Sequence, residues 1–143
     1  MIAPDVSLLV YAVNEDDPSH SGARAWLDEI LSGTETIGFA WSVLVGFVRV
    51  ATRQAIFAKP LTVQQALGLV GLWLARPNVV IIEPGPRHFE LLSGLLLSVG
   101  TAGNLTTDAH LAAIALEHGA DVYSADADFG RFTGLRWHNP LAT

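Results

Sequence analysis

Four aspartates in this sequence have the surroundings expected of a small carboxylate cluster. Each lies beside a segment of mostly apolar or small residues, and the four are Asp5, Asp108, Asp126 and Asp128. Carboxylates crowded into one pocket repel each other and raise each other's pKa, whereas a divalent cation would turn the same groups into ligands. Hard oxygen ligands, without Cys or clustered His, favour Mg²⁺ or Mn²⁺ over zinc. The chemistry that these residues indicate is therefore metal-dependent.

The elements that must position these acids alternate between short strands and longer helices. Five short apolar segments are predicted as strands, namely MIAPDV, TIGFA, NVVII, DVYSA and LRWHN. Helices are predicted between them, in SLLVYAVN, PSHSGARAWLDEILSG, WSVLVGFVRVATRQ, TVQQALGLVGLWLAR, PRHFELLSGLLLSVG and TTDAHLAAIALEHGA. A Thr N-cap is expected to open the last helix, and Gly119 to close it. This alternation predicts an α/β fold, in which a parallel sheet has helices on both faces.

The predicted sheet brings the acids to one edge. Ligands of such sheets bind outside the carboxyl ends of the strands. Asp5 lies at the carboxyl end of the first strand, Asp126 at that of the fourth, and Asp128 two residues further on. Asp108 lies in the first turn of the helix that leads into the fourth strand. We therefore expect three or four carboxylates to share one pocket.

Each acid also has a structural explanation of its own. Asp108 would favour the helix dipole, Asp128 would fit a turn followed by a helix cap, and Asp5 would cap the next helix. The constellation is more informative than its members because independent acids fall on the same edge. By contrast, Asp16 and Asp17 precede a proline in a turn and are interpreted as a solvated loop.

The remaining titratable residues carry no recognisable catalytic pattern. Glu117 and Asp121 are expected at the surface, at a helix end and a strand start. The histidines are scattered and lack metal-ligand spacing such as HExxH, and His110 should point away from Asp108, two residues before it. No GxSxG turn, P-loop or GxGxxG segment is present in the sequence.

Composition narrows the class of protein further. A chain of 143 residues, half of them hydrophobic, is long enough for one domain with a real core. The net charge of −6 and the single lysine, Lys59, argue against nucleic-acid binding by a broad basic surface, so a cation would have to neutralise phosphate. No apolar run reaches the roughly 18 residues that span a bilayer. We expect a soluble, cytoplasmic protein with some apolar surface covered by a partner or a second copy.

Three segments resemble the conserved blocks of PIN-domain ribonucleases, in particular the VapC-type toxins of bacterial type II toxin–antitoxin pairs. They are MIAPDVSLLVYA, GNLTTDAHLAAIALEHGA and VYSADADFGRF, and the resemblance runs from about Met1 to Trp137. It implies that residues 1–143 form a single PIN domain, a three-layer α/β/α fold whose parallel sheet has strand order 3-2-1-4-5. It also implies a metal-dependent endoribonuclease that uses Mg²⁺ or Mn²⁺.

The resemblance further implies roles for the acids and their neighbours. Asp5, Asp108 and Asp126 match the catalytic acids of the family, with Asp5 and Asp108 as the principal metal ligands. Asp126 and the adjacent Asp128 would complete the metal site directly or through water. Two hydroxyl groups are expected to support these ligands without binding the metal themselves, those of Ser7 and Ser124.

One family acid has no counterpart, which keeps two alternatives open. The family usually has a Glu in the helix after strand 2, and the matching position here is approximately Gly46. The chain could therefore be a weakened PIN domain that binds RNA or antitoxin without cutting. A receiver-type or phosphatase-type domain would also use carboxylates and Mg²⁺, but it normally needs a lysine after a later strand, and Lys59 instead lies in a loop before a proline.

Partners follow from the same resemblance. It implies a VapB-type antitoxin, an RNA substrate and a homodimer, with a higher toxin–antitoxin assembly as a further alternative and no membrane partner. The antitoxin would cover apolar grooves and insert an Arg into the acidic pocket. The helix that contains Trp26 and Leu31 has a broad apolar face, which core packing explains equally well.

Overall fold

The computed structural model of this chain describes residues 1–54 and 57–142, and its centre is a parallel sheet. The strands are β1 (Ile2–Pro4), β2 (Ile37–Phe39), β3 (Val79–Ile81), β4 (Asp121–Tyr123) and β5 (Trp137–His138). Every pair of neighbours is parallel, and the strands follow the order β3-β2-β1-β4-β5. The predicted strand order 3-2-1-4-5 is confirmed.

Helices cover both faces of this sheet. They are α1 (Val6–Val13), α2 (His20–Leu31), α3 (Trp41–Ala51), α4 (Val63–Leu74), α5 (His88–Val99) and α6 (Thr106–His118). Crossovers between parallel strands are almost always right-handed. The chain steps from β1 through β2 to β3 and then returns past β1 to β4, so α1–α4 lie on one face and α5 and α6 on the other. The predicted three-layer α/β/α architecture is confirmed.

Helix α6 is the most deeply buried helix of the fold. Five consecutive residues, Leu111 to Ala115, are at most 3% exposed, and Ala109 is fully buried. Because alanine side chains are small, α6 approaches both the sheet and α5 closely. The start of α6 is thereby fixed against the rest of the core.

The sequence predicts the C-terminal cap of α6 correctly and its N-terminal cap incorrectly. Gly119 ends α6 in the left-handed conformation, with φ of 67°, as predicted. The predicted Thr N-cap is wrong, because Leu105 occupies the capping position and Thr106 is already helical. A short 3₁₀ turn, Gly103–Leu105, runs directly into α6 and takes the place of a side-chain cap.

Element boundaries shift by about two residues relative to the sequence patterns. Helices α2 and α5 begin two residues after Pro18 and Pro86, which lie in the turns before them. Within the described residues, none of these helices combines the length and hydropathy needed to cross a bilayer.

Candidate metal centre

The carboxyl ends of β1 and β4 meet the start of α6 at one cleft. Pro4 pairs with Tyr123, and the Asp5 N–H donates to the Tyr123 carbonyl over 2.9 Å, which sets Asp5 beside the residue that follows β4. The cleft has a volume of about 290 Å³, and Asp5, Asp108 and Asp126 all line it. The clustering expected from the strand-end rule is therefore observed for these three acids.

Three of the four predicted acids form a compact trio. One carboxylate oxygen each from Asp108, Asp126 and Asp128 can be chosen so that all three lie within 4.8 Å of one another. Asp126 is oriented by its own turn, since its Oδ1 accepts from the Asp128 N–H over 2.9 Å. The Asp128 side chain is 50% exposed and lies 3.8 Å from the Arg131 guanidinium. A single cation could contact all three carboxylates after a small adjustment of the side chains.

Asp5 does not belong to this trio and is instead held by hydroxyl groups. Its Oδ2 accepts hydrogen bonds from Ser124 Oγ at 2.7 Å and from Ser7 Oγ at 3.1 Å. Ser124 is completely buried, and its Oγ also accepts from the Asp126 N–H over 2.9 Å. Ser7 and Ser124 thus connect the end of β1 to the turn after β4, and they fix one oxygen of Asp5.

The electrostatics of the cleft are concentrated on Asp108. The pKa of this carboxyl is raised from 3.8 to about 7, mainly by burial and in addition by the neighbouring charges of Asp5, Asp126 and Asp128. The cluster therefore carries more negative charge than its own surroundings compensate. Carboxylate oxygens with uncompensated charge fit a divalent cation, which would compete with the proton for Asp108.

Helix α3 forms the opposite wall of the cleft. Ser42, Gly46 and Arg49 line it at positions i, i+4 and i+7, so they share one helix face. A Cβ atom at Gly46 would lie only 2.9 Å from Val6 Cγ2, closer than side chains normally approach. Glycine therefore allows α1 and α3 to pack closely at this point, and no carboxylate enters the cleft from α3.

Comparison with known proteins identifies the family. A model of the PIN domain family matches residues 2–135, nearly the whole chain. This chain belongs to the PIN domain family. The resemblance to PIN-domain ribonucleases is thereby confirmed. The acids of this PIN domain have the chemistry and spacing to bind a divalent metal, which nucleases of the family use.

The relatives of this PIN domain carry the VapC name. It is 47% identical over 138 residues to Ribonuclease VapC37 of Mycobacterium tuberculosis, with 96% of each chain covered. It is 44% identical over 141 residues to Ribonuclease VapC33 of the same organism, with 99% of each chain covered.

Solved structures show the same fold at lower sequence identity. VapBC2 from Rickettsia felis, bound to a promoter DNA fragment, matches with a TM-score of 0.70 and 21% identity, over 97% of this chain and 98% of that one. Mycobacterium tuberculosis VapC20, described as a toxin that cleaves the sarcin–ricin loop, matches with a TM-score of 0.69 and 19% identity, over 95% and 99%.

Several titratable residues of the PIN domain lie outside the cleft. His110 points away from Asp108, and its Nδ1 lies 2.9 Å from His88 Nε2. Glu117 accepts two hydrogen bonds from backbone N–H groups in the turn before α5, so it joins the end of α6 to that turn. Asp121 forms an ion pair with Arg136. These groups stabilise connections between elements and contribute no oxygen to the acid trio.

Three polar residues of the cleft were not singled out by the sequence. Ser42 and Arg49 flank Gly46 on α3, and Thr107 precedes Asp108 on α6. Helical spacing could have identified Ser42 and Arg49, because residues three and four positions from Gly46 lie on the same helix face. Once Gly46 is matched to a position in the site, Ser42 and Arg49 follow from the periodicity alone.

Proposed function

We propose that this PIN domain is the toxin of a type II toxin–antitoxin pair and an endoribonuclease that depends on Mg²⁺ or Mn²⁺. The observation that carries the proposal is the cluster of three carboxylate oxygens within 4.8 Å, in a cleft that also contains Asp5. Relatives at 44–47% identity over nearly the full length are named VapC ribonucleases, which supports the same activity here. Mg²⁺ and Mn²⁺ are preferred because every candidate ligand is an oxygen.

In this proposal the four acids would hold the metal. Asp108, Asp126 and Asp128 would supply the trio of oxygens, and Asp5 would supply its Oδ1, because its Oδ2 is occupied by two hydroxyl groups. When bound, the metal lowers the pKa of a water molecule and stabilises negative charge on the scissile phosphate. Ser7 and Ser124 keep Asp5 in one orientation, so its free oxygen faces the cleft in a defined position.

The alternative of binding without cleavage depends on the missing acid at Gly46. The number of carboxylates that remain in the site argues against this alternative. Mg²⁺ usually keeps several waters and needs only one or two carboxylates from the protein. The cleft and its rim supply four, so the acid missing from α3 does not remove the minimum ligand set. Metal binding in the free protein is then weak, and the RNA phosphate strengthens it.

Cleavage of RNA by the purified protein tests the proposed function directly. Total bacterial RNA is incubated with the protein in Mg²⁺ or Mn²⁺, and in parallel with excess EDTA. We expect defined fragments with either metal and none with EDTA. Intact RNA under all conditions, together with no heat of Mn²⁺ binding in calorimetry, would favour the binding-only alternative. Protein with Asp108→Asn, purified in the same way, controls for contaminating nucleases.

We further propose a VapB-type antitoxin as the partner of this domain. An apolar groove of about 480 Å³ lies between α2 and α4, with Leu27, Leu31, Leu69 and Trp73 in its lining, and it offers a surface for an apolar segment of the antitoxin. Arg76 at the same groove would pair with an acidic residue of that segment. Co-purification with the product of a short neighbouring gene tests this partner.

The proposed homodimer is tested by light scattering at micromolar concentration, where a mass of one chain counts against it.

The substitution Gly46→Glu should lower stability and tighten Mn²⁺ binding at the same time. Gly46 faces the cleft, so a carboxylate there adds a ligand, but its Cβ would crowd Val6 Cγ2 at 2.9 Å. Crowding of this kind costs about 1–3 kcal/mol, and an added carboxylate should lower the Mn²⁺ Kd about tenfold. Thermal unfolding and Mn²⁺ calorimetry on one purified variant measure both effects.

The matched control for Gly46→Glu is Gly71→Glu on α4, where a Cβ would meet nothing within 4 Å. This control should leave the Mn²⁺ Kd unchanged and should not lower the melting temperature. Adding Val6→Ala to Gly46→Glu should restore much of the lost stability. A Gly46→Glu protein that is as stable as wild type would show that α1 and α3 do not pack closely here.

The substitution Ser124→Ala should reduce cleavage about 10–100-fold, the usual effect of removing a group that orients a metal ligand. Ser124 is the donor in the 2.7 Å hydrogen bond to Asp5 and the acceptor for the Asp126 N–H. Rates on one RNA substrate measure the effect, and Ser98→Ala, an exposed serine on α5, is the matched control. If both variants cleave at the wild-type rate, the Ser124 hydroxyl does not hold Asp5 in its working orientation.

A further inference from the structure

We infer that Arg49 is a substrate-binding residue, whose guanidinium holds a backbone phosphate of the RNA on the α3 wall of the cleft. The inference rests on the proposed ribonuclease function and adds a specific contact to it. The acids of the cleft account for the metal, but they repel every phosphate that the metal does not neutralise. A bound RNA strand therefore needs a cation from the protein beside the acidic wall.

The position of Arg49 meets this need. It lies on α3 one turn after Gly46 and lines the same cleft as Asp5 and Asp108. It also borders a second, apolar groove between α3 and α4, together with Val45 and Leu67. Its aliphatic stem can therefore rest on apolar surface while the guanidinium stays in solvent at the cleft. Within the described residues, Arg49 is the only Lys or Arg in the lining of the cleft.

The charge of Arg49 is also available to a ligand. The chain has eight Lys and Arg residues, and ion pairs with acids engage Arg24, Arg131 and Arg136. In the described part of the chain, no carboxylate lies within 4.0 Å of the Arg49 side chain, which is exposed. Arg49 thus faces the acids across the cleft without pairing with them.

The chemistry of the α3 wall suits a backbone phosphate. Arginine presents a planar fork of donors that matches phosphate oxygens in pairs. The hydroxyls of Ser42 and Thr107 line the cleft beside it and add donors of the kind that contact phosphate and sugar. Gly46, between Ser42 and Arg49, adds no side chain and no charge to this wall. An acid at that position would bring negative charge next to the guanidinium.

Binding of a short, fluorescein-labelled, single-stranded RNA of mixed sequence tests the inference. Anisotropy is measured in the Asp108→Asn background, where the RNA is expected to stay intact, over a series of salt concentrations. We expect Arg49→Gln to raise the RNA Kd about tenfold and to lower the slope of log K against log salt by about 0.7, the loss of one phosphate contact. Arg49→Lys should retain most of the salt slope, because the positive charge remains.

The matched control is Arg24→Gln, which makes the same change in net charge at an exposed ion pair on α2, away from the cleft. It should leave the RNA Kd within about twofold of the value for the unmodified Asp108→Asn protein, since salt screens charges that lie far from the bound RNA. Equal Kd values and salt slopes for Arg49→Gln and Arg24→Gln would overturn the inference. RNA cleavage by the wild-type protein is a separate measurement, so failure of the proposed function is distinguishable from failure of this contact.

A second readout separates substrate binding from an effect on the acids. In protein that retains Asp108, the single substitution Arg49→Gln should leave the Mn²⁺ Kd unchanged in calorimetry. If Arg49→Gln instead tightens Mn²⁺ binding and leaves RNA affinity unchanged, the guanidinium acts as a counter-ion of the acid cluster. That result would also overturn the inference.

Discussion

The substitution Asp108→Asn is expected to abolish RNA cleavage, lowering the rate at least about a thousandfold, or about 4 kcal/mol of transition-state stabilisation. Two observations mark Asp108 as the strongest candidate for a metal ligand. Its carboxylate belongs to the oxygen trio, and its pKa is strongly raised. The neutral amide keeps the shape of the side chain but removes the charge that binds the cation. Cleavage of total RNA in Mn²⁺, with time points taken by gel, measures the loss.

The same substitution should make the metal-free protein more stable at neutral pH. A carboxyl whose pKa rises from 3.8 to about 7 on folding binds its proton more tightly in the folded state. Its contribution to stability is therefore complete below about pH 4 and is lost as the pH rises towards 7. Asp108→Asn has no proton to lose, so its melting temperature should vary less with pH between 4 and 8 than that of the wild type in EDTA.

The control for Asp108→Asn is Asp16→Asn, which changes the net charge equally in an exposed loop. It should leave both the cleavage rate and the pH profile of melting as in the wild type. Wild-type cleavage by Asp108→Asn would remove Asp108 from the site. An unchanged pH profile would show that Asp108 titrates normally in the folded protein.

Asp5→Asn and Asp5→Ala should both abolish cleavage, but they should differ in stability. The sequence alone predicts that either change leaves the fold intact and even relieves repulsion. The structure modifies that expectation for alanine, because Ser124 is fully buried and donates its hydrogen bond to Asp5 Oδ2. Asp5→Ala removes the 2.7 Å acceptor of this hydroxyl and leaves only Ser7 Oγ at 3.3 Å, which costs about 1–3 kcal/mol. The amide oxygen of Asp5→Asn can still accept, so that variant should retain near-normal stability.

Chemical denaturation of the two Asp5 variants in EDTA measures this difference, and RNA cleavage is followed on the same preparations. Restoring stability in Asp5→Ala by adding Ser124→Ala would identify the buried hydroxyl as the cause, since both partners are then removed. Equal stability of Asp5→Asn and Asp5→Ala would contradict the importance of the hydrogen bond from Ser124. Cleavage at the wild-type rate by either variant would exclude Asp5 as a ligand.

The fold was predictable because its signals are local. Short apolar segments that alternate with amphipathic helices specify a parallel sheet, and the strand-end rule then places Asp5, Asp108 and Asp126 on one edge. The resemblance to the PIN family added the strand order. The wrongly predicted N-cap of α6 has a local cause as well, since a 3₁₀ turn and a capping Thr produce similar sequence patterns.

The details of the site depend on contacts between distant residues, which no sequence pattern encodes. Ser124 Oγ and Asp5 are separated by 119 positions, and their hydrogen bond divides the acids into a compact trio and a separately held Asp5. The close approach of Gly46 to Val6 also depends on how α1 and α3 pack.

The row of small buried residues in α6 has a consequence for genetics. Ala109, Ala112, Ala113 and Ala115 are completely enclosed, so any larger side chain overfills the core by about 1–3 kcal/mol or more. In a random library selected for cells that survive expression of this chain, inactivating changes in α6 should fall into two groups. Changes at Asp108 should leave abundant protein without activity, whereas changes at the alanines should lower the amount of protein that accumulates. Immunoblotting of the survivors would therefore separate the chemistry of this helix from its packing.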